Sequence, residues 1–261
     1  MQHDPRNTGA RRDLADLLLQ KGAVDEAIAQ YRIVLSYNPD DSDAHTNLCG
    51  ALKRKGELDQ AIAECHAALR LDAKNAMAHN NLGATLYDKG DLDGAIAEYR
   101  RAIELRPGLA MAHDNLGEAL EDKHDEDGAI REYQVSSRLD PSVAGAHVDL
   151  CVAYWRKNKV NEAITECRTA LRLEPQNYKA HHNLGNALAA KGDLDGSIRE
   201  LSEAVRLAPN EPDPHYMLGM TFEQAGKADS AFEQYAIAHK LRPDDEEIRA
   251  AYEKLKQKLK K

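Results

Sequence analysis

The sequence predicts an all-α solenoid of seven 34-residue helix-turn-helix repeats, closed by a C-terminal capping helix. Three observations predict it. Leu14, Leu48, Leu82, Leu116, Leu150, Leu184 and Leu218 stand 34 residues apart. Small residues recur at the same spacing, at Ala27, Ala61, Ala95, Ala129, Ala163, Ser197 and Ala231. Prolines close most copies, at Pro39, Pro107, Pro141, Pro175, Pro209 and Pro243, with Ala73 the exception. A fixed period of this length marks stacked units that each bury a face on the next. Aromatics make up only 5% while Ala and Leu abound, which favours helix over sheet.

Numbered from Thr8, the repeats are 8–41, 42–75, 76–109, 110–143, 144–177, 178–211 and 212–245. In the third, the first helix runs from Ala76 to Lys89, with Leu82, Thr85 and Leu86 on one face. Gly90 interrupts it, as Gly22, Gly56, Gly192 and Gly226 do in other copies; His124 and Asn158 stand there in the remaining two. Glycine reaches the left-handed conformation that ends a helix, and Asn is its best substitute. The second helix, from about Asp91 to Leu105, carries Ala95, Ile96, Tyr99 and Ala102 at helical spacing, and Arg106-Pro107-Gly108 stops it. Residues 1–7 read as the remnant of a preceding repeat or an N-terminal tail, because Pro5 lies 34 residues before Pro39. In 246–261, Ile248, Tyr252, Leu255 and Leu259 share a face, with Glu246 and Glu247 first and Lys256, Lys258, Lys260 and Lys261 last. That charge order suits the helix macrodipole, and a solenoid needs such a cap.

A net charge of −9 argues against a general nucleic-acid binder. No apolar run approaches a membrane span. Met1-Gln2-His3-Asp4-Pro5 lacks the apolar core of a secretory signal, so the expected compartment is the cytoplasm, or the periplasm if a leader has been removed. Four cysteines do not amount to a disulfide framework at this length.

The pattern resembles the tetratricopeptide repeat: aromatic or His at position 4, Leu at 7, Gly at 8, a bulky residue at 11, Ala at 20, Tyr or Phe at 24, Ala at 27 and Pro at 32. The resemblance implies a right-handed superhelix of antiparallel helix pairs whose first helices line a concave groove. Small residues at 8, 20 and 27 let helix backbones approach closely. The family's carboxylate clamp is not supported, since Arg12 is followed by Asp16, and Lys179 and Asn186 are followed by Met217.

Six histidines recur at position 4: His45, His79, His113, His147, His181 and His215. A metal ladder is excluded by spacing, because stacked helices lie roughly 10 Å apart and metal–nitrogen bonds are about 2 Å; packing is the expected role. Cys49/Cys65 and Cys151/Cys167 replace the Gly–Tyr pair at positions 8 and 24 of the second and fifth repeats. The leading reading is volume compensation by buried free thiols. An intra-repeat disulfide is the alternative, and a zinc site with His45 or His147 a weaker one. No phosphate loop, nucleophile elbow or His-Glu-x-x-His is present, so no enzyme activity and no cofactor are expected.

The resemblance places positions 2, 5, 6, 9, 12 and 13 on the groove, and these give candidate peptide-binding residues. Asn47, Asn81, Asn115 and Asn183 form a ladder of amides that both donate and accept; Asn186 joins them. Lys53 and Arg54 are basic, whereas Asp114, Glu118, Glu121 and Asp122 make the fourth repeat acidic, with Asp88 next to it. Trp155, the only Trp, and Tyr216 and Met220 offer apolar anchors. The expected function is a protein–protein interaction scaffold for an extended segment with a basic stretch and apolar anchors. Self-assembly into homo-oligomers, or service as the repeat region of an enzyme such as a glycosyltransferase, are the alternatives.

Overall fold

A computed structural model describes residues 7–259. The reading of residues 1–7 as a repeat remnant falls outside this range except for Asn7, as do Lys260 and Lys261. Among the described residues there are fifteen helices and no strand. The chain divides into two compact units, α1–α8 and α9–α15.

In the first unit the helices are α1 (Thr8–Gln20), α2 (Val24–Tyr37), α3 (Ser42–Lys55), α4 (Leu58–Leu71), α5 (Ala76–Asp88), α6 (Leu92–Leu105), α7 (Ala110–Asp122) and α8 (Glu126–Leu139). Each packs on the next, and the odd-numbered ones touch one another: α1 on α3, α3 on α5, α5 on α7. The second unit repeats this arrangement with α9 (Ala144–Arg156), α10 (Val160–Leu173), α11 (Tyr178–Lys191), α12 (Leu194–Leu207), α13 (Pro212–Gln224) and α14 (Ala228–Leu241). It ends in α15 (Glu246–Leu259), which lies against α14 and buries Ile248 and Leu255.

Local chemistry sets these boundaries. Asn7, Asp41, Asn75 and Asn177 accept a backbone N–H three residues on, capping α1, α3, α5 and α11. Asp91 and Asp193 do the same for α6 and α12. The break between paired helices takes a left-handed residue in every copy, and His124 (φ 62°) and Asn158 (φ 57°) adopt it beside the five glycines.

The contact within each pair explains the small positions. A Cβ on Gly117 would lie 2.5 Å from the Tyr133 ring, and one on Gly219 2.7 Å from Tyr235. Glycine therefore lets a buried ring lie flat on the opposite helix. In the second and fifth repeats the structure corrects the free-thiol reading. Cys49–Cys65 and Cys151–Cys167 are disulfides, with Cα–Cα distances of 5.4 and 5.3 Å. All four cysteines are 0% exposed. The reading failed because it weighed side-chain volume alone, whereas the backbones here approach within bridging range.

The recurring histidines are structural, in a more specific way than packing. Nδ1 of His45, His79, His113, His147 and His181 meets a carboxylate oxygen of Glu64, Glu98, Glu132, Glu166 and Glu200, at 2.5–2.8 Å. His215 meets Gln234 instead, at 2.8 Å. On the other side of the ring, Nε2 of His45, His79, His113, His181 and His215 lies 3.0–3.3 Å from the backbone carbonyl six residues earlier. Each imidazole thus ties the first helix to the second, and His45, His79, His113, His181 and His215 also tie it to the preceding turn.

Candidate functional site

In the first unit the odd-numbered helices wall a cleft of about 470 Å³. Asn47, Asn81 and Asn115 line it, together with Met77, Met111, Lys53 and Arg54. Geometry limits what the amides can do. Asn47 Nδ2 donates to Asp16 Oδ1 (3.0 Å), Asn81 Nδ2 to the Thr46 carbonyl (3.1 Å) and Asn115 Nδ2 to Asn80 Oδ1 (3.0 Å). One hydrogen of each amide therefore joins neighbouring repeats. Each can offer a ligand at most its carbonyl oxygen and its second hydrogen. Asp16, which also accepts from the Tyr31 hydroxyl, is part of this network; the sequence marked it only as a departure from the carboxylate clamp.

The charged candidates divide in the same way. Arg54 donates to the Leu19 carbonyl near the end of α1 (3.1 Å), and Lys53 lies 3.5 Å from Asp88. Asp122 accepts the Tyr87 hydroxyl (2.5 Å) and Glu121 the Tyr133 hydroxyl (3.2 Å). Glu118 also meets the Tyr87 hydroxyl, whereas Asp114 stands apart from these. Asp114 Oδ1 is a buried atom without a hydrogen-bond partner among the described residues. Burial raises the Asp114 carboxyl above the usual range, against an opposing bond from Ser136. Glu118 is raised by burial first, then by the carboxylates of Asp122 and Asp114, with Lys53 opposing. α7 thus carries two carboxyls whose charged forms the fold disfavours.

In the second unit a cleft of about 260 Å³ lies between α9, α11 and α13. Val148, Val152 and Tyr178 supply its apolar wall, and Lys179, His182, Asn183 and Asp213 its polar one. Val148, Val152 and Trp155 follow each other at helical spacing on α9, and Trp155 is 42% exposed. His182 was not singled out from the sequence. Its Nε2 lies 3.0 Å from Asn186 Nδ2, while its Nδ1 and Asn186 Oδ1 are buried without partners among the described residues. Burial lowers the His182 pKa, with Asp213 opposing. A His and an Asn four residues apart on a groove helix were the available signal.

The seventh-repeat candidates have other duties. Tyr216 donates to Glu247 Oε1 on α15 (2.9 Å), and its ring lies 5.8 Å from that of Tyr235. Burial and that bond push its hydroxyl up to about 12. Met220 packs into the cluster of Ala231, Tyr235 and Leu255. Both residues help seat the last helix.

Known proteins can now be set beside this geometry. The family model described as tetratricopeptide repeat matches residues 2–42, 12–76, 148–212 and 182–246, and one described as TPR repeat matches 85–123. No curated relative matches by sequence. Among solved structures, YrrB, described as a TPR protein with an unusual peptide-binding site, is 21% identical with a TM-score of 0.60, covering 72% of this chain and 97% of YrrB. Pseudomonas aeruginosa pilF is 17% identical with a TM-score of 0.73, over 83% of this chain and 97% of its own. PilW, described as a widely conserved type IV pilus biogenesis factor, is 20% identical with a TM-score of 0.72, over 80% and 97%. At these identities the likeness is one of fold. The 34-residue period, the close inter-helix contacts and the matched segments in both units agree: the chain belongs to the tetratricopeptide repeat family.

Proposed function

We propose that this chain is an interaction scaffold whose odd-numbered helices bind extended segments of partner proteins. The first unit takes a basic stretch, with Lys or Arg side chains against Asp114 and Glu118 and amide hydrogens against the oxygens of Asn81 and Asn115. The second takes apolar side chains against Val152 and Trp155, with Asn183 and Asn186 nearby. The observation that carries this reading is the pair of carboxyls on α7 whose charged forms the fold disfavours: a buried Asp114 oxygen without a hydrogen-bond partner, and Glu118 raised by burial and like charge. A cationic side chain relieves both terms. The peptide-binding site described for YrrB supports the general mode.

A peptide library tests the reading. Selection against the wild-type chain is expected to enrich Lys or Arg together with an aromatic or aliphatic residue. Asp114→Asn/Glu118→Gln is expected to abolish the basic preference, and Trp155→Ala the apolar one, each weakening the selected peptide at least about tenfold, as anchors near 2 kcal/mol would. Selection without a basic bias, or unchanged affinity in both variants, overturns it.

A further inference from the structure

We infer that Cys49/Cys65 and Cys151/Cys167 are two sites of oxidative modification, closed by thiol–disulfide exchange with a disulfide-bearing oxidant, and that the chain works in an oxidising compartment. Four observations carry this. All four cysteines of the chain are paired. Both bridges link the first to the second helix of one repeat, α3 to α4 and α9 to α10, and both span 16 residues. One lies in each compact unit, so the same device occurs twice. Each pair's two sulfurs are bonded to each other, which leaves neither as a thiolate.

The packing says what the bridge replaces. Four repeats hold this contact with a large side chain lying on glycine, as Tyr99 does on Gly83 and Leu201 on Gly185. In the two cysteine repeats both partners of that contact are gone. Two reduced thiols fill less space than a tyrosine ring, and unfilled core volume destabilises. The covalent bond restores the link between the helices. These pairs therefore complete their repeats only when oxidised, and cells keep such bonds mainly outside the reducing cytosol.

The chemistry balances without a metal or oxygen. One cysteine thiolate attacks a sulfur of the oxidant's disulfide and forms a mixed disulfide. The second cysteine thiolate then displaces the oxidant's remaining sulfur. The chain loses two electrons, the oxidant gains them, and the two thiol protons end on the oxidant's thiols. Because the sulfurs are fully buried in the finished fold, exchange precedes closure of each helix pair. Of the two compartments expected from the sequence, this inference favours the periplasm over the cytoplasm.

Differential alkylation tests the inference on the protein as cells make it. Cells producing the chain are lysed into denaturant with N-ethylmaleimide, so that buried free thiols react; the chain is then reduced and labelled with the deuterated reagent. The expected mass shows the heavy label on all four cysteines, and a non-reducing digest links 49 to 65 and 151 to 167. Light label on either pair, or a cross-link between the pairs, overturns it. Thermal melting of the purified chain gives a second readout that needs no variant. Reductant is expected to lower the midpoint, and an unchanged midpoint in chains shown to be reduced overturns the structural role.

Discussion

The exchange of a glycine–tyrosine contact for a disulfide can be reproduced by hand in the fourth repeat. A Cβ on Gly117 meets Tyr133 Cε1 at 2.5 Å and Cδ1 at 2.7 Å, and the ring is 2% exposed. Gly117→Cys alone overpacks the contact, at about 1–3 kcal/mol, offset by roughly 0.5 kcal/mol of helix propensity. Tyr133→Cys alone removes a buried ring, at about 3–5 kcal/mol by analogy with large-to-small core changes. It also loses the hydroxyl bond to Glu121, worth about 1 kcal/mol. If the two acted independently, their sum would be roughly 4–8 kcal/mol. The double variant instead recreates the Cys49/Cys65 arrangement. The clash disappears with the ring, and closing a loop of this length returns about 3 kcal/mol. The oxidised double variant is therefore expected to be more stable than Tyr133→Cys alone, with a favourable coupling of at least about 3 kcal/mol. Urea unfolding followed by far-UV circular dichroism measures the cycle, run once oxidised and once with reductant. The reduced cycle retains only the steric part of the coupling. Additive destabilisation in the oxidised cycle, or an oxidised double variant weaker than the single, refutes the reasoning.

Two further outcomes follow from the same geometry. Glu98→Ala leaves a half-buried His79 nitrogen without its carboxylate, which is expected to lower stability by about 1–3 kcal/mol in urea unfolding; Glu104→Ala, on an exposed side chain, serves as control. Asp114 and Glu118 are raised in the folded chain, so the folded state binds more protons than the unfolded one across that interval. Their contribution to stability is therefore greatest below the ordinary carboxylate range and is lost as pH rises through the raised values. Asp114→Asn/Glu118→Gln is expected to flatten that slope and to raise the unfolding midpoint near neutrality; a variant as pH-sensitive as the wild type contradicts the assignment.

The repeat was legible because packing enforces it. Every position that lets two helices touch must be small, and every position that fills the gap must be large, so Leu48, Ala61 and their equivalents reappear at fixed spacing. Helix ends were legible for the same reason, down to the left-handed His124 and Asn158. Pairings across helices were less visible. The glutamates that meet the histidines recur 19 residues after them, yet surface glutamates are too common for that spacing to stand out. The disulfides were present as an alternative, but the choice depended on a backbone separation that composition does not carry. The groove reading lost detail where side chains serve the fold as well. Asn47, Asn81 and Asn115 each give one amide hydrogen to the preceding repeat, and Tyr216 and Met220 turn towards the last helix. His182 went unnoticed because its neighbours were read for charge and apolarity, and its distinguishing feature is burial.

Binding on the odd-numbered helices is the central claim, and the single Trp makes it directly measurable. Trp155 gives one indole N–H resonance, and the side-chain amides of Asn81, Asn115 and Asn183 give separate pairs. Titration of the labelled chain with peptides from the library selection is expected to shift Asn81 and Asn115 for a basic segment and Trp155 and Asn183 for an apolar one, while residues confined to the even-numbered helices stay in place. Shifts on the even-numbered helices with an unmoved indole signal would contradict the account.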